Sequence, residues 1–232
     1  PKAVRAILLY PMNALVEDQM ARLRRTLDSP EVHAVMDERF AGNRIFFGRY
    51  TGETPVTGHL CHPRLADDPD EKRSLQQRKA QLKTRLVDMH QGQSVARAHD
   101  ALEHEKVRAA RERGETVSDH EDTRYMFAAC DGGELVSRWD MQATPPDILV
   151  TNTSMLATML VREVEANIWE ATRRWLESDP DAYFYLVLDE LHLVGGSAGS
   201  EIVGLLRSLF ARLGLHRAEM RQHLTGAPMA GS

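Results

Sequence analysis

The chain has 232 residues, 42% hydrophobic and 27% charged, with a net charge of −5. That fits one large α/β domain, or one domain with an insertion, and the negative balance excludes a global basic signal, so any nucleic-acid contact must be local. Two cysteines, Cys61 and Cys130, exclude a disulfide framework, and no apolar run approaches the ~20 residues of a membrane span. These features, with no visible signal peptide, lead us to expect a cytoplasmic protein with no membrane partner. The chain begins in a strand-like run without an initiator Met, as expected of a piece of a longer protein.

Residues 3–10 (AVRAILLY) read as a first strand, broken at 11–13 (PMN). Asn13 is the expected N-cap of the helix that follows, with Glu17 and Asp18 in its first turn, where the helix dipole favours acids. Val16, Met20, Leu23 and Leu27 form its apolar stripe, and Arg22, Arg24 and Arg25 lie off it. Amides at such a helix start can meet a phosphate. A short helix is expected over 31–40. A second strand over 44–50 ends in the turn 51–55 (TGETP), where a hydroxyl and backbone amides can contact a sugar-phosphate chain.

From 58 to 142 aromatics become sparse and charge dominates. Asp68 or Asp70 is the expected cap of a helix with a seam of Leu75, Leu82, Leu86 and Met89. Lys72, Arg73, Arg78, Lys79, Lys83 and Arg85 surround that seam. Gly92 is expected to interrupt, and Val95, Ala98, Leu102 and Val107 to carry a second helix. The basic face can touch a nucleic-acid backbone, although such a run is more often a solvated face. His59, Cys61 and His62 with distant Cys130 lack the paired spacing of a zinc site.

Residues 147–150 (DILV) read as a short buried strand, 151–154 (TNTS) as a polar turn in which Thr153 or Ser154 caps, and 155–177 as one helix with Trp169 and Trp175 among its packing residues. Residues 183–192 (YFYLVLDELH) are an apolar run ending in two carboxylates. The expectation is a strand buried on both faces in the middle of a parallel sheet, opening at its C-terminal end on a site. Asp189 and Glu190 there suit a Mg²⁺-nucleotide, one holding the metal and the other orienting a water. A plain strand and polar turn is the alternative. Ile202, Leu205, Leu206, Leu209, Phe210 and Leu213 mark an amphipathic helix that Gly214 ends. No Gly-x-x-x-x-Gly-Lys-[Ser/Thr] occurs.

Taken in order, these turns resemble the motifs of the first RecA-like domain of a superfamily 2 DExH-box helicase. LYPMNALVEDQ at 9–19 resembles motif Ia, YTGET at 50–54 motif Ib, PDILVTNTSML at 146–156 motif Ic, and VLDELH at 187–192 motif II, the Walker B box. The resemblance implies an α/β, RecA-like parallel sheet flanked by helices (a partial P-loop NTPase fold) with a mostly helical insertion. It divides the chain into 1–57, an insertion at 58–142, and 143–232.

It implies ATP and Mg²⁺ as cofactors. Asp189 would hold Mg²⁺, Glu190 would position the hydrolytic water, and His192 would connect the nucleotide site to the next motif. Pro11, Met12, Asn13, Gln19, Thr51, Gly52, Thr151, Asn152 and Thr153 would line a path for single-stranded DNA or RNA. Thr225, Gly226 and Ala227 stand where the coupling Ser-Ala-Thr is expected, with only Ala227 matching, and Thr153 replaces the usual Pro of motif Ic.

The phosphate loop would precede Pro1, so the chain alone is expected to be inactive. A second RecA-like domain of the same protein, and defence or repair subunits, are the implied partners. The box, its Gly-rich linker and the insertion look most like bacterial repair or DISARM-type phage-defence helicases. Two rivals are a helicase-derived nucleic-acid-binding scaffold without ATPase coupling, and a metal-dependent nuclease using Asp189 and Glu190.

Overall fold

The computed structural model describes residues 2–10, 13–65, 67–189 and 197–215, the side chains of 13–15, 197 and 198 excepted. Four parallel strands form one sheet: β1 (Ala6–Tyr10), β2 (Phe47–Tyr50), β3 (Ile148–Asn152) and β4 (Tyr185–Leu188), in the order β2-β3-β1-β4. The near-continuous apolar run of β1 follows from burial on both faces. On one side Ile7 and Leu9 pack with Leu149 against Leu156 and Met159 of α5 (Thr153–Val161), Ile168 and Trp169 of α6 (Ala166–Ser178), and Leu209 and Leu213 of α7 (Ser197–Leu213). On the other, Tyr10, Phe47 and Val150 meet Val16, Met20 and Leu23 of α1 (Asn13–Leu27). A short α2 (Pro30–Phe40), capped by Ser29, leads towards β2. This is the expected α/β, RecA-like arrangement with its helical insertion.

Residues 133–135 run parallel to the start of β2 on its outer edge, where Phe47 N donates to Gly133 O and Leu135 N to Phe47 O, and 136–138 pair in the same way with Val56. The approach is close. A Cβ on Gly48 would stand 2.6 Å from Met141 Sδ and 3.0 Å from Leu135 O, so only Gly fits. Met141, on the short α4 (Arg138–Ala143), thereby joins the main core.

Several expectations are corrected. β4 is not central: among the described residues it is the edge next to β1, with Phe184, Leu186 and Leu188 turned to the core and Tyr185 62% and Val187 47% exposed. The strand over 44–50 is regular only from Phe47. The insertion is not two helices but one, α3 (Pro69–Glu112), and Gly92 does not break it. Asp68 is its cap, its carboxylate accepting from Asp70 N and Glu71 N. The expected second seam of Val95, Ala98 and Leu102 faces solvent, while the buried line runs Gln93, Ala96, Asp100.

The helix expected over 155–177 is two, α5 and α6, separated by a 3-10 turn at Glu163–Glu165. The cap of α5 is Asn152, not Thr153 or Ser154. Asp18 and Glu17 lie beyond the first turn of α1, which is free of acids. Gly214, with φ of 72°, does end α7.

Candidate functional site

Parallel pairing puts all four strand C-termini on one rim. Tyr10 lies opposite Asn152, Tyr50 opposite Thr151, and Leu9 opposite Leu188. The strand ends therefore stand in the order Thr51–Gly52, Asn152–Thr153, Tyr10 with the start of α1, Asp189. With about 4.8 Å between strands, the outer two are roughly 14 Å apart. The N-termini of α1 and α5 open on the same rim. Gln19 is half-buried and lies about 9 Å down α1 from Asn13, at ~1.5 Å per residue. Pro11, Met12, Glu190, His192, Thr225, Gly226 and Ala227 lie outside the described residues, as does the side chain of Asn13.

The two threonines expected to meet nucleic acid turn inward. Thr151 is fully buried, and its hydroxyl donates to Tyr50 O at 2.7 Å, tying β3 to β2. Thr51 is also fully buried. Its Oγ1 accepts from Glu53 N at 3.2 Å, and its own N donates to Thr54 Oγ1 at 3.0 Å. These hydroxyls shape the rim and do not face out from it. Asn152 Oδ1 accepts from Met155 N at 2.7 Å and so orients the start of α5. Gly52 and Asp189 are exposed, and Thr153 is half-buried.

Beneath the Thr51 turn lies a buried polar cluster. Arg138 donates to Thr51 O and stacks over the Tyr50 ring with its guanidinium carbon 5.1 Å from the centroid. Gln142 Nε2 donates to Tyr50 Oη, which in turn donates to Glu165 Oε1, both at 2.7 Å. Burial, then the Glu165 carboxylate, pushes the Tyr50 phenol well up. None of these partners was legible in the sequence, because they come from segments far apart in the chain and carry no spacing signal.

Beside the α1 turn, Glu17 joins two cations. Arg49 donates to its Oε2, and Arg24 Nη1 to its Oε1 at 3.2 Å. Arg24, read from the sequence as off the stripe, is in fact buried. Its Nε and Nη2 grip Glu134 at 2.7 and 3.0 Å. Burial alone would lower its pKa, but the Glu134 carboxylate more than offsets that and raises it. At the other end of the rim, Asp189 N donates to Leu9 O at 3.2 Å. The Tyr10 phenol is pushed up to about 12 by burial and then by the Asp189 charge, so the carboxylate sits close to the end of β1. Asp147 lies at the opposite end of β3, bound by Arg5 and by Phe46 N. Among the described residues no helix is long and apolar enough to cross a membrane.

No family model and no solved structure matches the chain. It is similar to Druantia protein DruE of Escherichia coli (strain UMEA 4076-1), at 36% identity over 97% of this chain. The matched region is 13% of that protein, so the chain spans about an eighth of the length of the curated relative.

Proposed function

We propose that this chain is part of the first RecA-like domain of an ATP-dependent helicase or translocase that moves on DNA in phage defence. The observation that carries the reading is the shared rim, with Asp189 at one end of a row of polar turns and two helix N-termini between. An exposed carboxylate at the end of a parallel strand suits a hydrated Mg²⁺. Asp189 would hold that ion, Glu190 would orient the attacking water, and His192 would connect this site to the rest of the domain. The metal would supply neutralisation of the developing phosphate charge. Exposed Gly52, half-buried Thr153 and the first turns of α1 and α5 would meet the sugar-phosphate backbone of one strand. Such contacts are blind to base sequence. The phage-defence element agrees with the likeness to Druantia protein DruE.

The test is Glu190→Gln in the full-length protein. Loss of the water-orienting carboxylate is expected to lower nucleic-acid-stimulated ATP turnover by at least ~100-fold, with strand binding retained. Unchanged turnover would remove the catalytic assignment. Intact protection from phage despite lost turnover would favour the scaffold reading instead.

A further inference from the structure

A second constellation lies in the helical insertion, away from the rim. His99 and Asp100 are neighbours on α3, and His120 comes from the loop that follows it. The Asp100 side chain is only 4% exposed. Its Oδ1 accepts from His120 Nε2 at 2.9 Å, Thr123 N at 2.9 Å and Thr123 Oγ1 at 2.7 Å, and its Oδ2 accepts from Arg124 N at 2.8 Å. His99 Nδ1 stands 3.6 Å from the same Oδ1. One donor atom from each of His99, Asp100 and His120 lies within 4.8 Å of the other two. The His104 ring sits edge-on to His120, with centroids 5.3 Å apart, and Asp122 accepts from His104 Nε2.

Anchoring of the 3-10 turn Thr123–Met126 needs only Asp100, Thr123 and Arg124. Two imidazoles beside that carboxylate, His99 and His120, are more ligand than the turn requires. The separations of 2.9 and 3.6 Å bracket the roughly 3.3 Å between neighbouring ligands of a tetrahedral ion with bonds of ~2.0–2.1 Å. The carboxylate is held in place by outer donors, as ligating carboxylates usually are. A set rich in imidazole, with one carboxylate, suits Zn²⁺ and not Mg²⁺ or Ca²⁺, which take all-oxygen shells.

We propose that His99, Asp100 and His120 form a Zn²⁺ site, with a water in the fourth position. The ion replaces the proton shared by His120 Nε2 and Asp100 Oδ1, and any proton on the ligating nitrogens is released to solvent. Binding staples the loop 115–122 to α3. It also fixes Thr123–Met126, whose Tyr125 O accepts from Arg24 Nη1 at 3.1 Å, so the staple sets how the insertion meets α1.

Chelator-stripped full-length protein titrated with ZnCl₂ by calorimetry tests this. His99→Ala and His120→Ala are each expected to remove one equivalent of zinc or weaken it at least ~10-fold. A His59→Ala/His62→Ala control, at the other histidine cluster, should keep it. Zinc should slow amide exchange over 115–126 in the wild type and not in His99→Ala, whose ring is half exposed, so that loss of folding does not confuse the result. Equal stoichiometry and affinity in wild type and both single variants, or loss in the control alone, would overturn the proposal.

Discussion

Tyr10 and Asp189 come from opposite ends of the chain and meet at the ends of paired strands. The Tyr10 pKa, raised to about 12 first by burial and then by the Asp189 charge, couples this strand-end arrangement to stability. Below pH 10 the phenol is protonated in both folded and unfolded chains, and its contribution is fully present. Between about 10 and 12 the unfolded chain loses its proton first, so stability falls as pH rises through that window. Asp189→Asn should lower the Tyr10 value, though burial keeps it above 10, and should shrink the alkaline loss. Ultraviolet titration against Tyr10→Phe reads it directly, and an unmoved value would place the carboxylate elsewhere. Thr151→Val is expected to cost about 1 kcal/mol of stability while leaving strand affinity within twofold, because its hydroxyl serves Tyr50 O. Weakened binding at unchanged stability would restore the outward reading. The sequence puts Thr151 at the end of its strand, which is where β3 holds it. Its inward aim was knowable only from the pleat, which places 149 and 151 on one face.

At the scale of elements, α3 and the α5–α6 pair fail as sequence readings for different reasons. The apolar seam of the insertion shifts after Gly92, which suggests a break. The contacting face does not shift: Leu82, Leu86 and Met89 are half-buried and continue into Gln93, Ala96 and Asp100. Position 100 looks polar and solvated in the sequence because its partners, His120, Thr123 and Arg124, lie a loop away. A Cβ on Gly92 would meet Phe127 Cδ1 at 3.8 Å, an ordinary contact. Gly92→Ala should therefore stabilise the protein by about 0.5–1 kcal/mol in denaturant unfolding. Destabilisation would argue for two helices. The break between α5 and α6 has no Gly or Pro to announce it. It is tertiary: Trp169 Nε1 donates to Met159 O at 2.9 Å and satisfies a carbonyl left open at the end of α5. By contrast, the stripes of α1 and α7 were legible, since each covers one side of the sheet at helical spacing.

For the whole molecule, strand order is a property of pairing and not of composition, so the sequence could place four turns at strand ends but could not make β4 an edge. Charge is likewise distributed in a way that only coordinates show. The net charge is −5, and among the described residues Arg49 pairs with Glu17, Arg22 with Asp18, and Arg138 stacks on Tyr50. Exposed Lys79, Lys83 and Arg85 instead lie along α3. The two surfaces predict different salt dependence. Strand binding across the rim, made through amides and helix ends, should neutralise only about one or two phosphates, giving a slope of log K against log salt no steeper than roughly −1.5. Binding along α3 would engage several cations at once and steepen that slope with each. Titration of a single-stranded oligonucleotide from low to high salt, on the full-length protein and on Lys79→Glu/Lys83→Glu, separates them. A shallow slope unchanged by the double charge reversal assigns the strand to the rim. A steep slope that collapses in the variant moves it to the insertion and leaves the rim's polar turns without the role given them here.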